Sequence, residues 1–528
     1  MTTKILTHCR IYTFNPQQPT AEALAIRDGR VLAVGSQADI LALADRETIV
    51  EDMSAQVVLP ALTDAHIHLL EYGFSLQRVN CETPTRAECL VRVRERVEQT
   101  PAGQWALGHG WNHNVWPEGI GGKELLDAFS PENPIYLTHK SLHSGWANSA
   151  ALRLAGIHED SPDPRGGVFQ RDANGRLTGI VLENAMRVVE ETIPHPDQNT
   201  CVNALVLAQE SLLAFGITSV HDFDPWDAYS ALTAMQEDHR LKLRVVKGIP
   251  YPQLDEAIAA GLKSGQGSSH LTIGWLKLFA DGALGPQTAA MLAPYEGTKS
   301  TGMLFLEGED IVEIGSKALP HGISLAVHAI GDRANHEIIN GYAQLNKLGL
   351  LKNAALPARI EHVQLIDPQD VPGLAQHNIV ASMQPIHAPS DRHMADIHWG
   401  SRCANAYAWN SVASSGARLV FGSDAPVESP NPYWGTYAAV TRKPLDPREK
   451  LEGWYPQQCL SVEQALAAYI TQPHIVSGNS AELGVIRAGA IADLAIFTSD
   501  PFTLSEAEWL DLLPSATMVD GEWAYQRS

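Results

Sequence analysis

The sequence lacks a disulfide framework, a long hydrophobic run and an excess of basic residues. Its 6 cysteines are scattered over 528 residues without a Cys-x-x-Cys pair, a distribution typical of a reducing compartment. No apolar run reaches the roughly 18 residues of a membrane-spanning helix. The amino-terminal segment also lacks the apolar core of a signal peptide. We therefore expect a cytoplasmic protein.

Acidic residues outnumber basic ones, 60 to 38, which gives a formal net charge of −22. Phosphate backbones and anionic membrane surfaces attract positive charge, so neither nucleic acid nor a membrane is an expected partner. The hydrophobic fraction of 45% excludes a disordered or fibrous chain. The 21 histidines point instead to metal binding or proton transfer, the two commonest tasks of imidazole.

Both ends of the chain are rich in β-forming residues. Asp28-Gly29 and Asp520-Gly521 each stand between two short apolar segments, which is a signature of a tight hairpin turn. We predict that residues 1–57 and 482–528 together form one small β-domain, with two unrelated β-caps as the alternative.

The middle of the chain alternates between short apolar runs and helical patterns, several of which end at glycine. Such alternation predicts βαβ units, and eight of them predict a (β/α)8 TIM barrel of the α/β class over residues 58–481. The unusually long stretch after the first run predicts an inserted subdomain, about residues 72–200, over the barrel mouth. The runs are 57–67, 217–220, 243–249, 273–279, 323–327, 359–363, 379–383 and 419–421.

His66 and His68 end the first predicted strand. Residues i and i+2 of a strand point to the same side, so both imidazoles aim at one point at the carboxyl end, where barrel enzymes place their sites. Three more candidates, His328, His362 and Asp424, stand at the ends of later predicted strands. A structural role is the simpler interpretation of each alone, but together they predict a metal centre.

Lys277 lies among apolar neighbours in the predicted fourth strand. A buried ammonium is costly unless it is neutralised, paired or modified. Reaction with CO₂ would convert it into a carbamate that can bridge two metals, whereas pairing with Asp281 or another carboxylate is the structural alternative.

Nitrogen and oxygen ligands of this kind suit Zn²⁺ first, and then Mn²⁺, Fe²⁺, Co²⁺ or Ni²⁺. A metal lowers the pKa of bound water to near ~7 and so yields a hydroxide nucleophile at neutral pH. A neighbouring carboxylate then carries the proton to the leaving group, and Asp424 is the candidate for this task.

Six segments resemble the amidohydrolase superfamily, in particular its YtcJ-like branch, which includes N-substituted formamide deformylases. The resemblance extends over nearly the whole chain. The segments are 60–68 (PALTDAHIH), 143–152 (HSGWANSAAL), 277–285 (KLFADGALG), 328–334 (HAIGDRA), 359–364 (RIEHVQ) and 422–427 (GSDAPV).

This resemblance implies a (β/α)8 barrel and a β-sandwich domain built from both chain ends, residues 1–57 and 482–528. It also implies a binuclear centre, with two Zn²⁺ per chain as the first choice. His66 and His68 would hold one ion together with Asp424, the catalytic base. His328 and His362 would hold the other, and an N6-carboxylated Lys277 would bridge them. The implied reaction is hydrolysis of the C–N bond of a small-molecule amide, such as an N-formyl or N-acyl amine. Dimers are common among such proteins, so a homodimer is an expectation.

Further polar and aromatic residues are candidates for binding the substrate, although ordinary packing explains each of them equally well. They are Trp111, His143, Trp146, His221 and His387. Two other functions stay open on the same fold. One is a deaminase or a cyclic amidase, against which Lys277 argues because mononuclear deaminases of the superfamily usually lack the bridging lysine. The other is a non-catalytic regulatory or binding protein, which the complete set of ligand positions disfavours.

Overall fold

The computed structural model describes residues 3–113, 116–139 and 144–527. The chain divides into two compact units, one made of Met1–Tyr72 and Cys201–Ser528 and the other of Gly73–Thr200. Among the residues predicted to bind substrate, His143 lies outside the described ranges.

The strands are numbered in chain order. They are β1 (Lys4–Thr7), β2 (Arg10–Tyr12), β3 (Thr20–Ala21), β4 (Ala23–Arg27), β5 (Arg30–Gly35), β6 (Ile49–Asp52), β7 (Val57–Pro60), β8 (Leu62–Ile67), β9 (Val79–Asn80), β10 (Ala106–Trp111), β11 (Ile135–His139), β12 (Ser144–Ala147), β13 (Gly167–Arg171), β14 (Leu177–Glu183), β15 (Ile217–Asp222), β16 (Arg244–Pro250), β17 (Leu271–Phe279), β18 (Leu325–Ala329), β19 (Arg359–His362), β20 (Val380–Met383), β21 (Leu419–Phe421), β22 (Leu494–Phe497), β23 (Ala516–Val519) and β24 (Glu522–Gln526).

The helices follow the same order. They are α1 (Gln37–Leu41), α2 (Leu69–Gln77), α3 (Arg86–Gln99), α4 (Glu124–Asp127), α5 (Ser149–Leu154), α6 (Ala185–Glu190), α7 (Gln198–Ala214), α8 (Asp227–Glu237), α9 (Leu254–Ala259), α10 (Gly308–Ala318), α11 (Asp332–Lys347), α12 (Val371–Gln376), α13 (His387–Trp399), α14 (Trp409–Ser414), α15 (Pro432–Thr441), α16 (Val462–Ile470) and α17 (Gln472–Val476). In the described residues, no helix combines the length and apolar character that a membrane crossing requires.

Eight parallel strands form the barrel in the order β8-β15-β16-β17-β18-β19-β20-β21. The two edge strands meet just beyond β21, where Asp424 N–H donates to the carbonyl of His66 at 2.8 Å and His68 N–H donates to that of Ala425 at 2.9 Å. The predicted (β/α)8 barrel is thus confirmed. Its strands are nearly all buried, as expected of a parallel sheet covered on both faces.

The first predicted strand, residues 57–67, is in fact two strands that serve different sheets. β7 pairs antiparallel with β22, whereas β8 pairs parallel with β15 in the barrel. Ala61, between them, belongs to neither strand, and its N–H donates to the carbonyl of Asp493. Burial alone does not reveal this break, because both segments are buried on both faces.

Two sheets built from both ends of the chain lie in the same unit as the barrel. Their strand orders are β5-β4-β1-β6 and β24-β23-β22-β7-β2-β3, and residues of both contribute to one apolar cluster. Asp28-Gly29 and Asp520-Gly521 form the predicted hairpin turns, with φ of 53°, 76°, 48° and 75° in that order. Positive φ at both central residues is the geometry that favours the Asp-Gly pair.

An ion-pair network, buried at Arg244 and Asp493, ties the amino ends of two barrel strands to the β22–β24 region. Arg244, at the start of β16, binds both carboxylate oxygens of Asp493 at 2.8 and 2.9 Å and Asp520 at 2.6 Å. His270 Nε2 lies 3.0 Å from Asp520 on its other side. Bidentate contacts of this kind fix orientation as well as adding attraction.

The unit Gly73–Thr200 is built on the sheet β13-β14-β12-β11-β10-β9. Trp111, Trp116 and Trp146 lie together in its core with ring centres 6.1 to 6.4 Å apart. Trp111 also donates its indole N–H to the carbonyl of Leu137 at 2.8 Å. The aromatic residues of this segment therefore form the unit's own core.

Candidate metal centre

Asp424 stands at the junction of the predicted ligands. Its Oδ1 lies 3.4 Å from His66 Nε2 and 3.4 Å from His68 Nε2, and its Oδ2 lies 3.4 Å from His387 Nε2. A φ of 61° turns Asp424 out of the strand direction three residues after the end of β21. Two groups of ligand atoms lie within 4.8 Å of one another, His66–His68–Asp424 and His362–His387–Asp424.

The ring of His66 is oriented by a carboxylate inside the barrel. Its Nδ1 donates to Glu361 Oε2 at 2.6 Å, and Glu361 in turn accepts hydrogen bonds from Arg359. His66 Nε2 is buried and has no hydrogen-bond partner among the described residues. A buried ring nitrogen without a partner is costly, and a metal ion would satisfy it.

A second carboxylate faces His68. Asp224 Oδ1 lies 3.6 Å from His68 Nδ1, and Asp224 Oδ2 accepts the N–H of Leu70 at the start of α2. Burial opposes charge on the imidazole, but Asp224 and Asp424 outweigh it and raise the pKa of His68 to about 10. His66 and His68 thus each have a carboxylate beside Nδ1, and the Nε2 atom of each faces Asp424.

His362 and His328 have uncharged acceptors instead. His362 Nδ1 donates to the side-chain Oε1 of Gln384 at 2.8 Å, and His328 Nε2 donates to the backbone carbonyl of Gly282 at 2.9 Å. Their ring centres are 4.5 Å apart. Burial, followed by the charge of Lys277, lowers the pKa of His328 to about 3, so its imidazole is neutral, as a metal ligand requires.

Lys277 is buried in β17, and its Nζ makes no hydrogen bond or ion pair with any described residue. Its Nζ lies 4.9 Å from the ring centre of Phe223 and 5.0 Å from that of Phe279. Burial lowers the pKa of Lys277 to about 8, although Glu361 and Asp424 oppose the shift. An amine with a lowered pKa has a larger neutral fraction, and the neutral amine is the form that reacts with CO₂.

The alternative pairing of Lys277 with Asp281 is wrong. The carboxylate of Asp281 accepts the N–H groups of Ala290, Ile330 and Gly331 at 2.8 to 3.0 Å. It therefore fastens the loop after β17 to the turn that follows β18, and it leaves Lys277 without a counterion at hydrogen-bond distance.

The residues predicted to bind substrate fall into different places. His387 begins α13 and contacts Asp424, so it belongs to the cluster. His221 is buried inside the barrel, where its Nδ1 accepts a hydrogen bond from Arg359 at 2.7 Å. Trp111 and Trp146 are fully buried in the core of the other unit, a position that favours packing over an exposed substrate wall.

The supporting residues Glu361, Asp224 and Gln384 were not assigned from the sequence. Glu361 lies inside the motif 359–364, and strand alternation places it on the same side as Arg359. That pattern predicts a buried pair of Arg359 and Glu361, but it does not show that Glu361 also binds His66. The connection depends on which strands are neighbours across the barrel. Neither Asp224, which follows β15, nor Gln384, which follows β20, carries a signal of its own.

An eight-stranded parallel barrel with imidazole and carboxylate groups gathered at the carboxyl ends of its strands is typical of hydrolases that use divalent metals. A profile described as "Amidohydrolase family" matches residues 49–525, and the chain belongs to this family. The predicted resemblance is thus confirmed.

Three relatives are similar over nearly their whole length. The putative amidohydrolase YtcJ of Bacillus subtilis (strain 168) is 29% identical over 98% of this chain and 98% of its own. The N-substituted formamide deformylase of Arthrobacter pascens is 26% identical over 99% of this chain and 98% of its own. An uncharacterised metal-dependent hydrolase from Pyrococcus furiosus has 27% identity and a TM-score of 0.78, over 95% of this chain and 100% of that structure. These relatives support hydrolase activity and a divalent metal.

Proposed function

We propose that this protein is a binuclear metal-dependent amidohydrolase that cleaves the C–N bond of an N-formyl or N-acyl amine. The observation that carries the proposal is the hydrogen bonding of the imidazoles. His66, His328 and His362 each donate one ring N–H to an oxygen acceptor and keep the other nitrogen as a lone pair. Fixing the ring and its tautomer in this way is what metal-bound histidines require.

The donor set fits two divalent ions, with Zn²⁺ as the first choice. His66, His68 and Asp424 would hold one ion, and His328 and His362 the other. Lys277, once carboxylated, would supply an oxygen to each. When bound, such ions polarise a carbonyl group and lower the pKa of a coordinated water to near ~7.

Asp424 is the residue proposed to move the proton. Burial alone would raise its pKa, but contacts with His387, His66 and His68 hold the pKa well below the ordinary range, so the carboxylate is ionised. It accepts a proton from the attacking water as the water oxygen bonds to the amide carbon. When the C–N bond breaks, Asp424 returns that proton to the amine nitrogen, and the products are a carboxylic acid and an amine.

The choice of substrate rests on chemistry and on one relative. An amide carbonyl is the group that a Lewis acid and a proton shuttle activate together. The relative named N-substituted formamide deformylase adds weight to an N-formyl amine. His387, whose Nε2 lies 3.4 Å from Asp424 Oδ2, is the described residue proposed to contact the substrate.

The test is turnover of a panel of N-formyl and N-acyl amines by the zinc-loaded protein and by Asp424→Asn. We expect wild-type turnover of at least one amide and a loss of about 10²–10⁴-fold or more in kcat for the variant, the range for losing a proton-transfer group. Asp446→Asn is the matched control, because Asp446 pairs with Arg448 at the surface. Circular dichroism checks that all three proteins are folded.

The same panel should include cyclic amides and aminated heterocycles. Turnover of only these compounds would replace the proposal with a cyclic amidase or a deaminase. A metal-loaded, folded protein that turns over none of the panel, with a biological effect that survives Asp424→Asn, would favour the regulatory alternative.

A further inference from the structure

We infer that the two metal sites differ in affinity, with a tightly held ion at His66, His68 and Asp424 and a more readily exchanged ion at His328 and His362. This inference rests on the proposed binuclear function. It follows from the charge of the groups that lie beside the N–H atoms of each pair of imidazoles. The second ion would then be the one whose occupancy responds to the metal supply.

The first pair is supported by anions. Glu361 accepts from His66 Nδ1 at 2.6 Å, and Asp224 Oδ1 lies 3.6 Å from His68 Nδ1. Both carboxylates are fully buried, where solvent screens their charge little. Asp424 adds a third carboxylate, 3.4 Å from both Nε2 atoms.

The second pair is supported by neutral dipoles. His362 donates to the amide oxygen of Gln384, and His328 donates to the backbone carbonyl of Gly282. A carboxylate also lies near His328, since Asp281 Oδ1 is 3.5 Å from its Nε2. Asp281 already accepts three backbone N–H groups, and the ring N–H of His328 is donated to Gly282 instead. Neither imidazole of this pair therefore donates to an anion.

An anionic acceptor makes the opposite ring nitrogen more basic than a neutral acceptor does, so it binds a metal more strongly. Loss of such supporting partners typically costs 10–100-fold in metal affinity. His66 donates to a carboxylate and His68 has a carboxylate 3.6 Å away, whereas His362 and His328 donate to neutral oxygens. This contrast predicts a difference of at least about 10-fold between the sites. A carboxylated Lys277 does not remove the difference, because a bridging group contributes to both ions.

The experiment is titration of the metal-free protein with Zn²⁺ by calorimetry, repeated with Co²⁺ while its visible absorption is recorded. We expect two binding events per chain that differ at least about 10-fold in Kd. His68→Ala should abolish the tight event, whereas His362→Ala should abolish the weak event and leave one tightly bound ion. These two variants are a matched pair, since each removes one imidazole.

Gln384→Glu tests the cause. The substitution keeps the side-chain length and the acceptor oxygen of Gln384, but it gives His362 a carboxylate acceptor like that of His66. The weak event should tighten by about 10–100-fold in this variant. In Glu361→Gln the tight event should weaken by a similar factor, and circular dichroism must show that this variant is folded, because Arg359 loses its counterion. If it does not fold, Gln384→Glu and the histidine pair still decide the question.

Three results would overturn the inference. One is two equal affinities, the second is loss of the tight event in His362→Ala, and the third is no tightening in Gln384→Glu. Absence of any metal binding would instead refute the proposed metal centre itself, so the two failures are distinguishable.

Discussion

Arg359→Met should test whether the interior of the barrel depends on a compensated buried charge. Arg359 and Glu361 are both fully buried, and the guanidinium also binds His221 and Ser382 at 2.7 and 2.8 Å. Methionine fills much of the same volume but leaves the carboxylate of Glu361 without its paired guanidinium. Removing one partner of a buried pair typically costs 3–5 kcal/mol, and we expect a loss of about that size.

Other losses make this a lower bound. His221 Nδ1 and Ser382 Oγ each lose a donor, and an unsatisfied buried polar group costs about 1–3 kcal/mol. The double variant Arg359→Met/Glu361→Gln removes both charges, so it should be less destabilised than the sum of the two single variants by at least about 2 kcal/mol. Arg359→Lys keeps the charge and loses the bidentate fork, which should place it between wild type and Arg359→Met.

The assay is guanidinium-induced unfolding of the metal-free proteins followed by circular dichroism. Because the chain has two compact units, each transition must be fitted separately and the barrel transition compared. A loss below about 1 kcal/mol for Arg359→Met, or strict additivity in the double variant, would refute the role assigned to the pair.

Three further predictions concern other parts of the molecule. Burial alone would raise the pKa of Asp520, but His270 and Arg244 lower it to about 2. Its contribution to stability is therefore complete above pH about 4 and lost as pH falls toward 2, and Asp520→Asn should flatten this part of an acid-unfolding curve. Trp111→Ala should destabilise the unit Gly73–Thr200 by about 3–5 kcal/mol in thermal unfolding, and a stable but catalytically impaired variant would point to substrate binding instead. Carbon-13 bicarbonate should label the wild-type protein with a carbamate signal in NMR that Lys277→Met lacks, and labelling of both would place the carbamate elsewhere.

Local patterns account for much of the architecture. Residues two positions apart on a strand point to the same side, and this rule alone places His66 and His68 together at the end of β8. Each Asp-Gly pair predicts its hairpin, because the tight turn needs positive φ at two successive residues and few residue types adopt it. These inferences need no knowledge of distant parts of the chain.

The limits of local patterns appear where one signal has two physical causes. Residues 57–67 are buried throughout, and burial is the same whether one sheet or two provide it. Tryptophans such as Trp111 and Trp146 fill a core as readily as they line a pocket. Only their complete burial in the packed unit distinguishes the two.

The sequence by itself determined the barrel, the hairpins and the candidate ligands, because periodicity and turn chemistry act between residues that are neighbours in the chain. The tertiary structure decided which acceptor orients each imidazole. Glu361 meets His66, 295 residues away, and Gln384 meets His362 across 22 residues. These partners depend on the order and register of the barrel strands, which long-range packing sets. The proposed difference between the two metal sites therefore follows from the fold and not from any local motif.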